Sequence, residues 1–130
     1  MTYKYGTRSK AVLATCHPDL RVIMYEAIKI MDISCYEGIR SDEKQQEYFK
    51  DGLSHLDGIK KKSKHQGKKV DTQTYMKDKD VGNYSYDKDG DPILSYALDC
   101  MPYPIDWEDA ARNAYMGGIL VGIAERLYEE

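Results

Sequence analysis

The sequence predicts an α+β domain, a small antiparallel sheet flanked by helices. Three observations carry that expectation. Apolar side chains recur at helical spacing over residues 17–31, residues 33–39 are β-branched and aromatic, and a second long helical segment fills residues 107–128. At 130 residues the chain is one domain's worth. Its apolar fraction of 42% is enough to bury a core and argues against disorder.

Each element has a local reason. Residues 3–5 read as a short extended start, and a brief helical turn is expected over residues 10–14. The first long helix places Leu20, Ile23, Met24, Ala27, Ile28 and Met31 at steps of three and four. Pro18 falls in its first turn, where a missing N–H costs nothing. After the strand at 33–39, Ser41 is placed to cap a helix, with Asp42 and Glu43 favourable near its positive end. That helix continues through Tyr48 and Phe49 and stops at Gly52.

From residue 53 to 94 the pattern dissolves into Lys, Asp, Gly, Ser and Tyr, which predicts a long loop. Within it Asp87, Asp89 and Asp91 surround Gly90, but the distal Glu of a calcium-binding loop is missing, so the segment reads as a polar turn. Order returns with a strand at 95–101 and a Pro-Tyr-Pro turn. Asp106 is then expected to cap the final helix. Gly117, Gly118 and Gly122 weaken that helix in isolation and predict close packing along it.

Composition excludes several functions. A net charge of −3 does not point to nucleic acid. The basic run Lys60, Lys61, Lys62, Lys64, Lys68 and Lys69 reads as a solvated loop, or as a patch attracting an anionic polymer. Residues 115–124, the most apolar stretch, are too few to span a bilayer, so no membrane partner is expected. The N-terminus lacks the apolar core of a signal peptide, which predicts a soluble chain made in the cytoplasm. Cys16, Cys35 and Cys100 are odd in number without CxxC spacing, which fits a reducing compartment.

The histidines are the main carriers of candidate chemistry. His17 precedes Pro18 and reads as a helix cap or surface residue, and His55 stands in a loop without ligand-like neighbours. His65 gains meaning from order along the chain: YEGIRS (36–41), then SKH (63–65), then ALDCMPYPIDW (97–107). This order, with the opening YKYGTRSKAVLATCHPDL, resembles the zinc D,D-carboxypeptidase and L-alanyl-D-glutamate endopeptidase family, especially the small cell-wall peptidases of tailed phages.

The resemblance implies roles residue by residue. His65 and Asp99 are the implied zinc ligands, Arg40 a cationic fork for the oxyanion or a substrate carboxylate, and Ser63 a hydrogen-bonding support. The substrate class implied is the peptidoglycan stem peptide, with the L-Ala–D-Glu bond favoured over D-Ala–D-Ala. Such an enzyme reaches the wall only when released from the host cytoplasm.

Two departures from the family pattern shape the expectations. His65 and Asp99 lie further apart than in the family, so residues 67–94 read as an inserted polar loop in a single domain spanning 1–130. Asp71 is a nearer alternative ligand, but it lacks the alanine and the PYPIDW that surround Asp99. No histidine follows His65, so the third ligand and the general base are not identified, and C-terminal strands of the fold are expected to be missing. A separate C-terminal segment is the implied partner for activity. The competing expectation is an inactive wall-binding or structural remnant of the family, held to its target by Arg40, the lysines and the tyrosines.

Overall fold

The computed structural model describes residues 3–69, 85–86 and 92–128. Asp71 and the Asp87–Asp89–Asp91 turn lie outside the described residues. The elements run α1 (Thr7–Leu13), α2 (Pro18–Ala27), β1 (Ile33–Glu37), α3 (Asp42–Lys50), a 3-10 turn (Lys64–Gln66), β2 (Lys68–Lys69), β3 (Ser85–Tyr86), β4 (Pro92–Leu94), β5 (Asp99–Pro102) and α4 (Ala110–Tyr128). The α+β expectation holds: β1 pairs antiparallel with β5, and β2, β4 and β3 form a second antiparallel sheet in that order.

Local signals place most helix ends. Pro18 is the first residue of α2, and the side chain of His17 caps that helix by accepting the Asp19 amide at 3.1 Å. Ser41 caps α3, its side chain accepting the Lys44 amide at 3.1 Å. Gly52 ends α3 with a positive φ of 76°. There the Leu53 amide reaches the Tyr48 carbonyl (2.8 Å) and the Gly52 amide reaches Phe49 (3.1 Å), a Schellman pair that satisfies two orphan carbonyls.

Several expectations need correcting. The apolar period of the first long helix runs to Met31, yet α2 ends at Ala27. The chain beyond it continues as tight turns (Lys29 to Glu26, Ile30 to Ala27) that still bury Ile28. The segment 53–94 is not one long loop, because β2 and β4 pair within it. Strand β5 begins at Asp99 rather than Ser95, since Ser95 makes an isolated bridge to Cys16 instead. The last helix starts at Ala110. Asp106 closes a turn by accepting the Glu108 amide (3.0 Å), and Asp109 caps the helix by accepting the Arg112 amide (3.0 Å).

The core lies between the β1–β5 pair and helices α1, α2 and α4. Tyr5, Leu13, Met24, Ala27, Ile28, Ile33, Cys35 and Met116 are buried there, and the Tyr5 hydroxyl donates to the Met24 carbonyl at 2.7 Å. Burial pushes the Cys16 and Cys100 thiols up to about 11 and the Cys35 thiol further still, so ionisation of all three is disfavoured and they pack as thiols. The glycines of α4 do not serve close packing: a Cβ at Gly117, Gly118 or Gly122 would meet nothing within 4 Å among the described residues. Among the described residues no helix is long and apolar enough to cross a membrane.

Candidate metal centre

The β1–β5 ladder carries an irregularity at its functional end. Ile33 pairs with Pro102, Ser34 with Met101 and Cys35 with Cys100, after which the register shifts and Glu37 faces Asp99. Tyr36 is the extra residue of this bulge. Regular alternation would have set Tyr36 opposite Asp99; the bulge substitutes a carboxylate. Tyr36 instead meets Trp107 edge to face, with ring centroids 5.8 Å apart.

His65 reaches the same place from the 3-10 turn. Ser63 caps that turn in a reciprocal box: its hydroxyl accepts the His65 amide (3.2 Å), and the Gln66 side chain accepts the Ser63 amide (2.7 Å). The turn is stitched to the end of β1 by the Arg40 amide, which donates to the His65 carbonyl at 2.7 Å. Gly67 follows with φ of 78°, where a Cβ would lie 2.6 Å from Ile39 and 2.8 Å from the Leu94 carbonyl. Only glycine fits both that backbone conformation and that space.

The result is a cluster of Glu37, His65 and Asp99 whose candidate ligand atoms all lie within 4.8 Å of one another. His65 Nε2 lies 3.5 Å from Asp99 Oδ1, while His65 Nδ1 lies 2.8 Å from the Gly38 carbonyl oxygen and 3.9 Å from Glu37 Oε1. A carbonyl can only accept, so Nδ1 is the donor in that contact, and Nε2 is the ring nitrogen turned toward Asp99. Metal-binding histidines are commonly fixed in this way, the second ring nitrogen donating to a backbone carbonyl. Two carboxylates and one imidazole suit a borderline ion such as zinc, and three protein donors leave room for a water. The Asp99 side chain is 42% exposed, which opens the cluster to solvent.

Arg40 sits behind Glu37. Its Nε donates to Glu37 Oε1 at 2.7 Å, Nη2 donates to the same oxygen, and Nη1 reaches Gln45 Oε1 at 2.5 Å. The guanidinium lies over the Tyr48 ring, 4.7 Å from its centroid, and the Tyr48 hydroxyl points at Glu37 Oε2 from 3.4 Å. Gln45 is fully buried and also donates through Nε2 to Ser54 Oγ (2.9 Å) and the Leu56 carbonyl (2.7 Å). A shallow depression beside the cluster is lined by Arg8, Thr15, Tyr36, Glu37, Gly38 and Ile39.

Of the sequence candidates, the fold therefore brings His65 and Asp99 together, seats Ser63 beneath His65, and joins Arg40 to the group through Glu37. His17 and His55 are not in the cluster. His17 is buried as the α2 cap against the Tyr96 ring (4.8 Å between centroids), and His55 is exposed. Sequence reasoning passes over Glu37 and Gln45. Glu37 stands inside the quoted YEGIRS motif, yet its partnership with Asp99 depends on a bulge that no residue pattern announces. The signal available for Gln45 was its place one turn after the Ser41 cap, on the side of α3 that turns inward.

A family model for phage L-alanyl-D-glutamate peptidases matches residues 1–88, more than half of the chain. The chain belongs to that family. It is thus a member of a phage peptidase family whose substrate class is peptidoglycan. The match takes in Glu37, Arg40, Ser63 and His65, and Asp99 lies beyond it. A search of curated proteins finds no match.

Proposed function

We propose that this phage peptidase is zinc-dependent and hydrolyses the L-Ala–D-Glu bond of the peptidoglycan stem, with Glu37, His65 and Asp99 holding the metal. The observation that carries this reading is the convergence of those three side chains, with His65 Nδ1 committed to Gly38 and Nε2 turned toward Asp99. Bound zinc would supply Lewis acidity, polarising the scissile carbonyl and lowering the pKa of a bound water.

The chain's own residues do the positioning. Ser63 and Gln66 hold the turn that carries His65, and Gly38 fixes its tautomer. Arg40 balances Glu37 and keeps its carboxylate beside the cluster, with Gln45 holding the guanidinium in turn. Three of the five Arg40 donors are spent in this way, which favours a positioning role over direct capture of a substrate carboxylate. Arg8, at the rim of the depression beside Glu37, is the exposed cation placed to receive the free carboxylate of a D-Glu residue.

One observation favours a second reading, a wall-binding member without catalysis. Glu37 is already paired with Arg40, which competes with metal ligation, while Lys60, Lys61, Lys62, Lys64 and Lys68 present an exposed basic run to an anionic polymer. The deciding experiment is release of new amino groups from purified peptidoglycan with zinc, with a chelator, and by His65→Ala. Zinc-dependent release that the substitution abolishes is expected. Wall binding that ignores the chelator, with no release, would establish the second reading instead.

A further inference from the structure

We infer that Cys35 and Cys100 form an oxidative modification site, a cross-strand thiol pair set to close into a disulfide under a hydroperoxide. Their Cα atoms are register partners in the β1–β5 ladder. The kind of pair they form follows from where Cys35 sends its backbone groups. Its amide donates to Ser9 Oγ at 3.0 Å, and the same hydroxyl donates to its carbonyl at 3.4 Å. Both groups therefore turn toward α1 and away from β5.

The neighbouring rungs agree. The Tyr103 amide donates to the Asp32 carbonyl at 3.0 Å, and Pro102, which has no N–H, faces Ile33. Hydrogen-bonded rungs thus alternate with rungs that lack them, and Cys35–Cys100 is one that lacks them. Residues opposed in such a rung have Cα atoms about 4.5 Å apart and side chains on one face, within the span a disulfide accepts.

The third thiol is placed differently. Cys16 lies outside the ladder, its Sγ 3.6 Å from the Val12 carbonyl oxygen and its backbone bridged to Ser95. Cys35 is all but sealed from solvent and Cys100 is partly open, so Cys100 meets the oxidant first. The chemistry balances in two steps. The Cys100 sulfur attacks a peroxide oxygen and the O–O bond breaks, giving a sulfenic acid and an alcohol or water. The Cys35 sulfur then displaces hydroxide from the sulfenic sulfur, and the S–O bond breaks as the disulfide forms and water leaves. Two electrons pass from the two thiols to one peroxide, and both thiol protons end in the products.

The link would lie next to Asp99 and two residues before Glu37, clamping the strands where the two carboxylates diverge from regular register. The test is hydrogen peroxide treatment of the native full chain, then quenching and alkylation of the thiols that remain free, and peptide mapping without reductant. A Cys35–Cys100 cross-linked peptide is expected as the main product, in the parent chain and in Cys16→Ser alike. In urea, loop closure favours the nearer pair, so Cys16–Cys35 should exceed Cys35–Cys100 by roughly sixfold. Native products dominated by Cys16, identical native and urea patterns, or thiols that overoxidise without linking would each overturn the inference.

Discussion

Nδ1 of His65 lies 2.8 Å from the carbonyl oxygen of Gly38, the residue that follows β1. Gly38 can take this position because nothing projects from its Cα. A Cβ there would lie 2.3 Å from Thr15 Oγ1 and 2.9 Å from the Val12 carbonyl. Gly38→Ala must push α1 and the strand end apart, at a cost of about 1–3 kcal/mol. Urea unfolding should show that loss, and zinc affinity should fall with it because the His65 anchor moves.

Asp99→Asn keeps shape but removes the charge, and it should weaken zinc binding by at least about tenfold in equilibrium dialysis. Glu37→Gln should do the same if Glu37 is a ligand. A Glu37→Gln variant with unchanged zinc affinity would restrict its part to partnering Arg40.

Gln45 offers a stability test behind the Arg40–Glu37 pair. Gln45→Ala leaves the Leu56 carbonyl and an Arg40 N–H without their partner in a buried setting. The expected loss is about 2–3 kcal/mol by urea unfolding, large for one polar side chain on a helix.

Arg8 separates binding from turnover. Should its guanidinium receive the D-Glu carboxylate, Arg8→Ala will raise KM severalfold and leave kcat nearly unchanged, since that contact is equal in ground and transition states. A fall in kcat alone would contradict this role.

His17 predicts a pH dependence with a definite sign. Burial lowers its pKa below the ordinary histidine value, against an opposing pull from Asp19, and Arg21 lowers it further. Its Nδ1 accepts the Asp19 amide and its ring packs on Tyr96, roles that suit the neutral form. The unfolded chain therefore takes up a proton first as pH falls through about 6.5. Stability drops below that pH by at most about 1.4 kcal/mol per unit until the folded-state pKa is passed. In His17→Asn, urea midpoints between pH 7 and pH 5 should lose this slope.

Features set by neighbouring residues were legible in the sequence. Pro18, Ser41 and Gly52 act within a few positions of themselves, and each sits where local chemistry places it. The SKHQ run carries its own turn as well, Ser63 and Gln66 being the two halves of a capping box, although its residues were expected to be loop. What pairing at a distance creates was not legible. Strands β2 and β4 are two and three residues long and exist because residues 68–69 meet residues 93–94. Asp106 and Asp109 offer the same side chain three residues apart, and it is the second that accepts an amide of the helix. Glu37 resembles any acidic residue at a strand end until the bulge turns it toward Asp99.

Folding order follows from the bulged ladder that joins β1 to β5. Glu37 and Asp99 are 62 positions apart, while α1 packs on β1, which follows it closely in sequence. Loop-closure entropy makes the distant pairing the late event. On the proposed metal site, a nascent or half-folded chain would hold two of the three donors at most, and tight metal uptake would certify that the last strand has docked. Calorimetry of the zinc-loaded protein should accordingly show metal release and unfolding as a single transition, shifted upward with zinc concentration.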